Sequence, residues 1–118
     1  MSIEISNRLF DGPYLLKEWS PLNFPAIYAI MMKLDPKNMR DTYDVLYFCE
    51  SSEFSGIESG LDHPKYKCWF KEAGFKSNIY ISAHLMPNST FEEIKLLKNA
   101  LIGLYNPICN NKEINPSN

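Results

Sequence analysis

Two short runs, FPAIYAI (residues 24–30) and DVLYFCES (residues 44–51), each carry a tyrosine near the middle, Tyr28 and Tyr47. On adjacent strands two such rings can simply pack across a hairpin, as aromatic side chains commonly do. They can also present two phenol groups to a phosphodiester, where a phenol acts as a base only if nearby cations lower its pKa. The choice depends on partners. The titratable candidates are His63 and His84, with a set of lysines: Lys65, Lys67, Lys71, Lys76, Lys95 and Lys98. The plain reading of His63 is a surface residue beside a helix start, and that of His84 a satisfied residue on a strand face. For the lysines it is a solvated face. Tyr66, Trp69 and Phe70 could stack on nucleobases, but spacing of three and four is the mark of a core-facing helix stripe.

The elements that must position these residues follow from hydrophobic period. FPAIYAIMMKL (24–34) is nearly continuous in apolar residues and reads as a buried strand, with Pro25 near its start, where a strand tolerates it. DPKNMRDT (35–42) is a polar, turn-rich connection, and YDVLYFCE (43–50) a second strand, antiparallel to the first through a long hairpin loop. HPKYKCWFKEAG predicts a short helix with Pro64 in the first turn and Gly74 at the C-cap. NIYISAHLM (78–86) alternates as a third strand. PNSTFEEIKLLKNALIGLY predicts a long helix, opened by Ser89 and Glu92 in capping-box spacing, with Phe91, Ile94, Leu97, Leu101 and Leu104 on one face and Pro107 after its end. Residues 1–23 have no sustained period and read as an N-terminal arm packing through Phe10, Tyr14, Leu15, Leu16 and Trp19. Residues 111–118 read as a flexible tail. The expectation is one compact α+β domain at 24–110, a three-stranded antiparallel sheet flanked by helices.

Composition narrows the functional classes. A chain of 118 residues, 45% hydrophobic and 22% charged, suits a single globular core. The formal net charge of −2 lacks the basic excess that sequence-independent phosphate binding uses, so a nucleic-acid role would need a local patch. No apolar run is long enough for a membrane span, and MSIEISNRLF has neither a basic n-region nor an apolar h-region; the expected location is intracellular and cytoplasmic, with no membrane partner. Cys49, Cys68 and Cys109 are odd in number and form no CxxC pair, so they read as reduced thiols packed as small hydrophobes. A zinc site built from them with His63 or His84 is set aside, because zinc ligands usually arrive as close pairs.

Taken in order, AIY (Ala26, Ile27, Tyr28), YFC (Tyr47, Phe48, Cys49) and LKNALIGLYNPICN (97–110) resemble the GIY-YIG endonuclease superfamily, over roughly residues 24–110. The resemblance implies a cleft holding both tyrosines, an arginine on the scissile phosphate and a helical glutamate binding one divalent metal, for phosphodiester hydrolysis. Tyr28 and Tyr47 are in place, Asn110 matches the terminal asparagine, and His63 lies near a histidine found in some members. Three departures stand out. The arginine position falls near Ile57, the metal glutamate falls at Lys98, and glycine is missing from both tripeptides. A metal ligand has thus become a positive charge.

The resulting candidates are Tyr28, Tyr47, His63 and Asn110 for the cleft, and Lys65, Lys67 and Lys98 for nucleic acid, with no metal or other cofactor. The reading is a degenerate superfamily member, impaired in metal-dependent cleavage, that binds nucleic acid or a protein. One alternative is an active divergent endonuclease using Lys65 or Lys67 as clamp and Glu92 or Glu93 as ligand to Mg²⁺; a lysine there keeps a point charge but loses the bidentate fork of arginine. Another is a small protein-interaction module with no nucleic-acid role. Substrate and oligomeric state are not readable from these residues.

Overall fold

A computed structural model of the chain describes residues 1–35 and 42–111. Most of the polar connection expected at 35–42, and all but Asn111 of the tail expected at 111–118, lie outside the described residues.

The domain is α+β. Five strands form one antiparallel sheet: β1 (Ser2–Ile5), β2 (Arg8–Leu15), β3 (Ala26–Lys33), β4 (Tyr43–Glu50) and β5 (Ile79–Leu85), in the spatial order β1-β2-β5-β3-β4. Three helices, α1 (Tyr66–Ala73), α2 (Phe91–Tyr105) and the one-turn α3 (Ile108–Asn111), pack against it. The expected sheet of three strands is therefore corrected to five. The N-terminal arm supplies the other two, as a hairpin whose turn residues Ser6 and Asn7 both adopt positive φ (53° and 64°). That is the turn geometry a two-residue hairpin requires, here without the glycine that usually advertises it.

The arm joins the sheet through β2, which pairs with β5. Its register passes irregularly from Asp11 opposite Ala83 to Tyr14 opposite Ile81. Gly12 sits at this irregularity with φ 122°, and a β-carbon there would stand 2.9 Å from the Ile81 carbonyl oxygen. Only glycine satisfies both conditions.

β3 lies inside the sheet between β5 and β4, with every residue from Ala26 to Met31 fully buried. This is why its sequence lacks the alternation of a half-exposed strand. One face, carrying Tyr28, Ile30, Tyr47, Cys49 and Ile81, packs under α1 and the segment after β2. The other, carrying Ile27, Ala29 and Phe48, packs under α2 through Ile94 and Leu101. Between Ile30 opposite Tyr47 and Met31 opposite Val45 the register skips Leu46, a bulge that lets Leu46 and Tyr47 both join the α1 side.

The helices are placed by their ends. Gly74 caps α1 at φ 90°, and Asn106 caps α2 in the left-handed region at φ 49°. The capping box of α2 is Thr90 with Glu93, one residue beyond the expected Ser89 and Glu92: the Thr90 hydroxyl accepts from Glu93 N–H at 3.2 Å, and the Glu93 carboxylate accepts from Thr90 N–H at 2.9 Å. The shift follows from where the helix begins. Its buried stripe is also narrower than expected, since Phe91 and Leu104 are mostly exposed.

Cys68 on α1 and Cys109 on α3 form a disulfide, and Cys49 is the free thiol. This corrects the reading of all three as reduced. The bond joins residues that no local spacing links, so it was invisible to a search for close pairs. Closing a loop of sequence separation 41 restricts the unfolded chain, an effect worth about 3 to 4 kcal/mol in the chain-entropy account. Cys68→Ser, compared with the oxidised protein by chemical denaturation, is expected to lose stability of about that size, and the reductant-treated wild type is expected to match the variant.

Candidate functional site

The end of β4 and the turn after it concentrate the polar chemistry of the α1 face. Glu50 closes the strand, and the chain then coils into the 3₁₀ turn Ser51–Phe54. Glu53 folds back over its own turn: its Oε2 accepts from Glu50 N–H at 3.2 Å, and its Oε1 accepts from the Tyr47 hydroxyl at 2.7 Å. His63 arrives from the loop before α1, with Nε2 3.4 Å from Glu53 Oε1. Its Nδ1 accepts from Lys65 N–H at 3.0 Å, so the ring helps satisfy the start of α1. The imidazole stacks on Trp69, with ring centroids 4.8 Å apart. Cys49 completes the group, its sulfur lying with the Glu53 and His63 donor atoms inside a span of 4.8 Å.

Tyr28 lies opposite Cys49 in the β3–β4 ladder. It is fully buried, its ring edge-on to Trp19 and Phe54, and among the described residues its hydroxyl has no hydrogen-bond partner. Both tyrosines thus face the α1 side, and both are covered. Two surface cavities lie nearby, one of about 480 Å³ bordered by Phe24, Ser51 and Phe54, the other of about 390 Å³ bordered by Tyr14, Trp19 and Ser82. Neither is lined by Tyr28, Tyr47, Cys49 or His63.

The remaining candidates stand outside this cluster, some of them in contact with it. Asn110 works on the backbone of β4, an edge strand: its Oδ1 accepts from Phe48 N–H at 2.7 Å and its Nδ2 donates to Phe48 C=O at 3.0 Å. The side-chain amide stands in for a neighbouring strand at one rung. Lys98 reaches from α2 to Glu50, with Nζ 2.7 Å from Oε1 and both side chains mostly buried. Ile57 is half-buried against the core. Lys65 holds its ammonium 5.9 Å from the centre of the Tyr47 ring. Lys67, Glu92 and Glu93 are exposed, and Glu93 is engaged as a cap.

The electrostatics follow from burial. Burial, then the hydrogen bond to Glu53, pushes the Tyr47 phenol far up, so at neutral pH it is a proton donor and no base. Burial likewise raises Tyr28, with the nearby Leu22 backbone opposing it. Burial and the Glu53 charge push the Cys49 thiol well above its ordinary value. For Glu53, burial acts upward, but the close approach of His63 Nε2 and the hydrogen bonds from Tyr47 and Glu50 N–H, aided by Lys98, together hold the carboxyl below the usual range.

Glu53 and Cys49 are absent from the sequence-derived candidates. The spacing of Tyr47, Glu50 and Glu53 at intervals of three is the signal that could have found the carboxylates. Nothing in the spacing of Cys49 and His63 brings them together. In all, the architecture defines a small α+β domain with a buried tyrosine, carboxylate, histidine and thiol cluster at one end of its sheet. Comparison of the chain with protein-family models, curated proteins and solved structures found no match.

Two outcomes test this arrangement. Asn110→Ala leaves a strand N–H and C=O without their partner and is expected to cost about 1 to 3 kcal/mol, with faster amide hydrogen exchange at Phe48 as the local readout. Glu53 has a depressed folded-state pKa, so its contribution is present above its unfolded value of 4.5 and is lost as pH falls through the folded value. Denaturation series across the acid range should therefore show wild-type stability falling more steeply than that of Glu53→Gln, the two curves converging toward low pH.

Proposed function

We propose that the chain is a divergent, catalytically impaired relative of the GIY-YIG nucleases that acts by binding, with nucleic acid as the first candidate partner. The observation that carries this reading is the ion pair of Lys98 with Glu50. The resemblance assigns the metal-binding carboxylate to Lys98, and here that position supplies a resident ammonium already held by an acid at 2.7 Å. An ion pair this well covered disfavours a Mg²⁺ site on the same atoms, because Mg²⁺, which dehydrates reluctantly, would have to displace an ammonium already seated on the carboxylate.

Other features agree. β3 and β4, which carry Tyr28 and Tyr47, are neighbours in the sheet. Ile57 offers no charge where a phosphate clamp would stand, and the two phenols are buried and protonated. The active alternative would draw on Glu93, which caps α2, and on Lys65, which lies over Tyr47. Lys67 and Lys71, both exposed and one turn apart on α1, provide a surface for phosphate contact that needs no open cleft.

The test combines cleavage and binding. Purified protein incubated with supercoiled plasmid, single-stranded DNA and RNA, in Mg²⁺, Mn²⁺ or EDTA, is expected to leave all three uncut. Mobility shifts are expected to weaken as salt rises and to weaken further in the Lys67→Ala/Lys71→Ala variant. Metal-dependent nicking that disappears in Tyr28→Phe would overturn the impaired reading, and absence of any salt-sensitive shift would overturn nucleic acid as the partner.

A further inference from the structure

We propose that Cys49, Glu53 and His63 form a binding site for a single thiophilic divalent ion of the zinc class. The three donors come from two stretches of chain: the end of β4 with the 3₁₀ turn that follows it, and the loop before α1. They present a sulfur, a carboxylate oxygen and an imidazole nitrogen within 4.8 Å of one another. This is a borderline-soft set suited to zinc or cobalt(II) and unsuited to magnesium, which wants oxygen alone.

A second observation points to a ligand. His63 is 5% exposed, and its Nε2, aimed into the cluster, is buried without a hydrogen-bond partner among the described residues. Its nearest polar neighbour is Glu53 Oε1 at 3.4 Å, already a suitable separation. Donor atoms around a tetrahedral zinc lie roughly 3.3 to 3.7 Å apart, so the widest pair has to close by about 1 Å. Glu53, with 28% of its side chain exposed, is the side from which an ion and a fourth, water ligand would enter.

Tyr47 and Glu50 N–H would orient the carboxylate as outer partners. Binding releases the thiol proton to solvent and moves the imidazole proton from Nε2 to Nδ1, where Lys65 N–H now donates. The site therefore gives up one helix-start hydrogen bond for three metal bonds, an exchange that structural zinc sites make readily.

Because Cys68 and Cys109 are joined, Cys49 is the thiol available to an added metal in the oxidised protein. Titrating the oxidised full chain with Co²⁺ is expected to give a thiolate-to-cobalt charge-transfer band saturating at one equivalent and abolished by Zn²⁺. Histidine-selective ¹⁵N NMR should show the His63 proton passing from Nε2 to Nδ1 as Zn²⁺ is added. Cys49→Ala should lose the band outright, and His63→Gln should no longer saturate at one equivalent. No band at excess cobalt, a band appearing only after the disulfide is reduced, or an unmoved His63 proton in the wild type would each overturn the site. The wild-type spectra stand even if a variant fails to fold.

Discussion

The Glu53 carboxylate is the point at which the end of β4, the turn that continues it and the loop before α1 are fastened together. It accepts from the Tyr47 hydroxyl on β4, from the Glu50 N–H that ends the same strand, and faces His63 from the loop that starts α1. This partly covered carboxylate is held in place because both of its oxygens have donors in reach. Satisfying it fixes the Ser51–Phe54 turn, and the turn in turn sets Phe54 against Tyr28, Trp19 and His63. The closed character of the α1 face follows from this polar tie as much as from the aromatic rings around it.

The same device recurs in neutral form. Asn110 completes a rung of β4 through both its amide atoms, and buried Asn78 does the equivalent for Lys33 at the far end of β3, while also donating to the Ala73 carbonyl where α1 stops. Side-chain amides carry a donor and an acceptor in the spacing of a peptide group, so they can finish a sheet where no strand is available. Asn110 therefore belongs to the architecture of an edge strand, although its place in the sequence suggested a cleft. The Cys68 to Cys109 bond holds α3 against α1 and so keeps that amide in position.

Much of the fold was legible because the period of the sequence is clear where the structure is regular. The continuous apolar run of β3, the alternation of β5 and the stripe of α2 each reflect a simple burial pattern. The arm was not legible as strands. β1 and β2 are short, meet through a turn of Ser6 and Asn7, and are interrupted at Gly12 and Pro13, so no window shows a sustained alternation. The candidate site was half legible. Tyr28, Tyr47 and His63 lie in or beside the cluster, but Glu53 stands four residues before Ile57, where the resemblance asks for a cation, and carries the opposite charge.

That reversal of sign bears on what the face can do. A hydrolytic cleft needs cations to lower a phenol's pKa and a path for substrate to reach it. Here the cations face acids or rings: Lys98 is on Glu50, and Lys65 stands over Tyr47. The phenols meanwhile donate to a carboxylate or lie buried, which raises their pKa. A cluster rich in carboxylate, thiol and imidazole has the opposite appetite to one built for an anionic substrate. It attracts a cation. Phosphate contact, if the domain makes it, then falls to the exposed lysines of α1, on the outer side of the helix whose start His63 helps to hold.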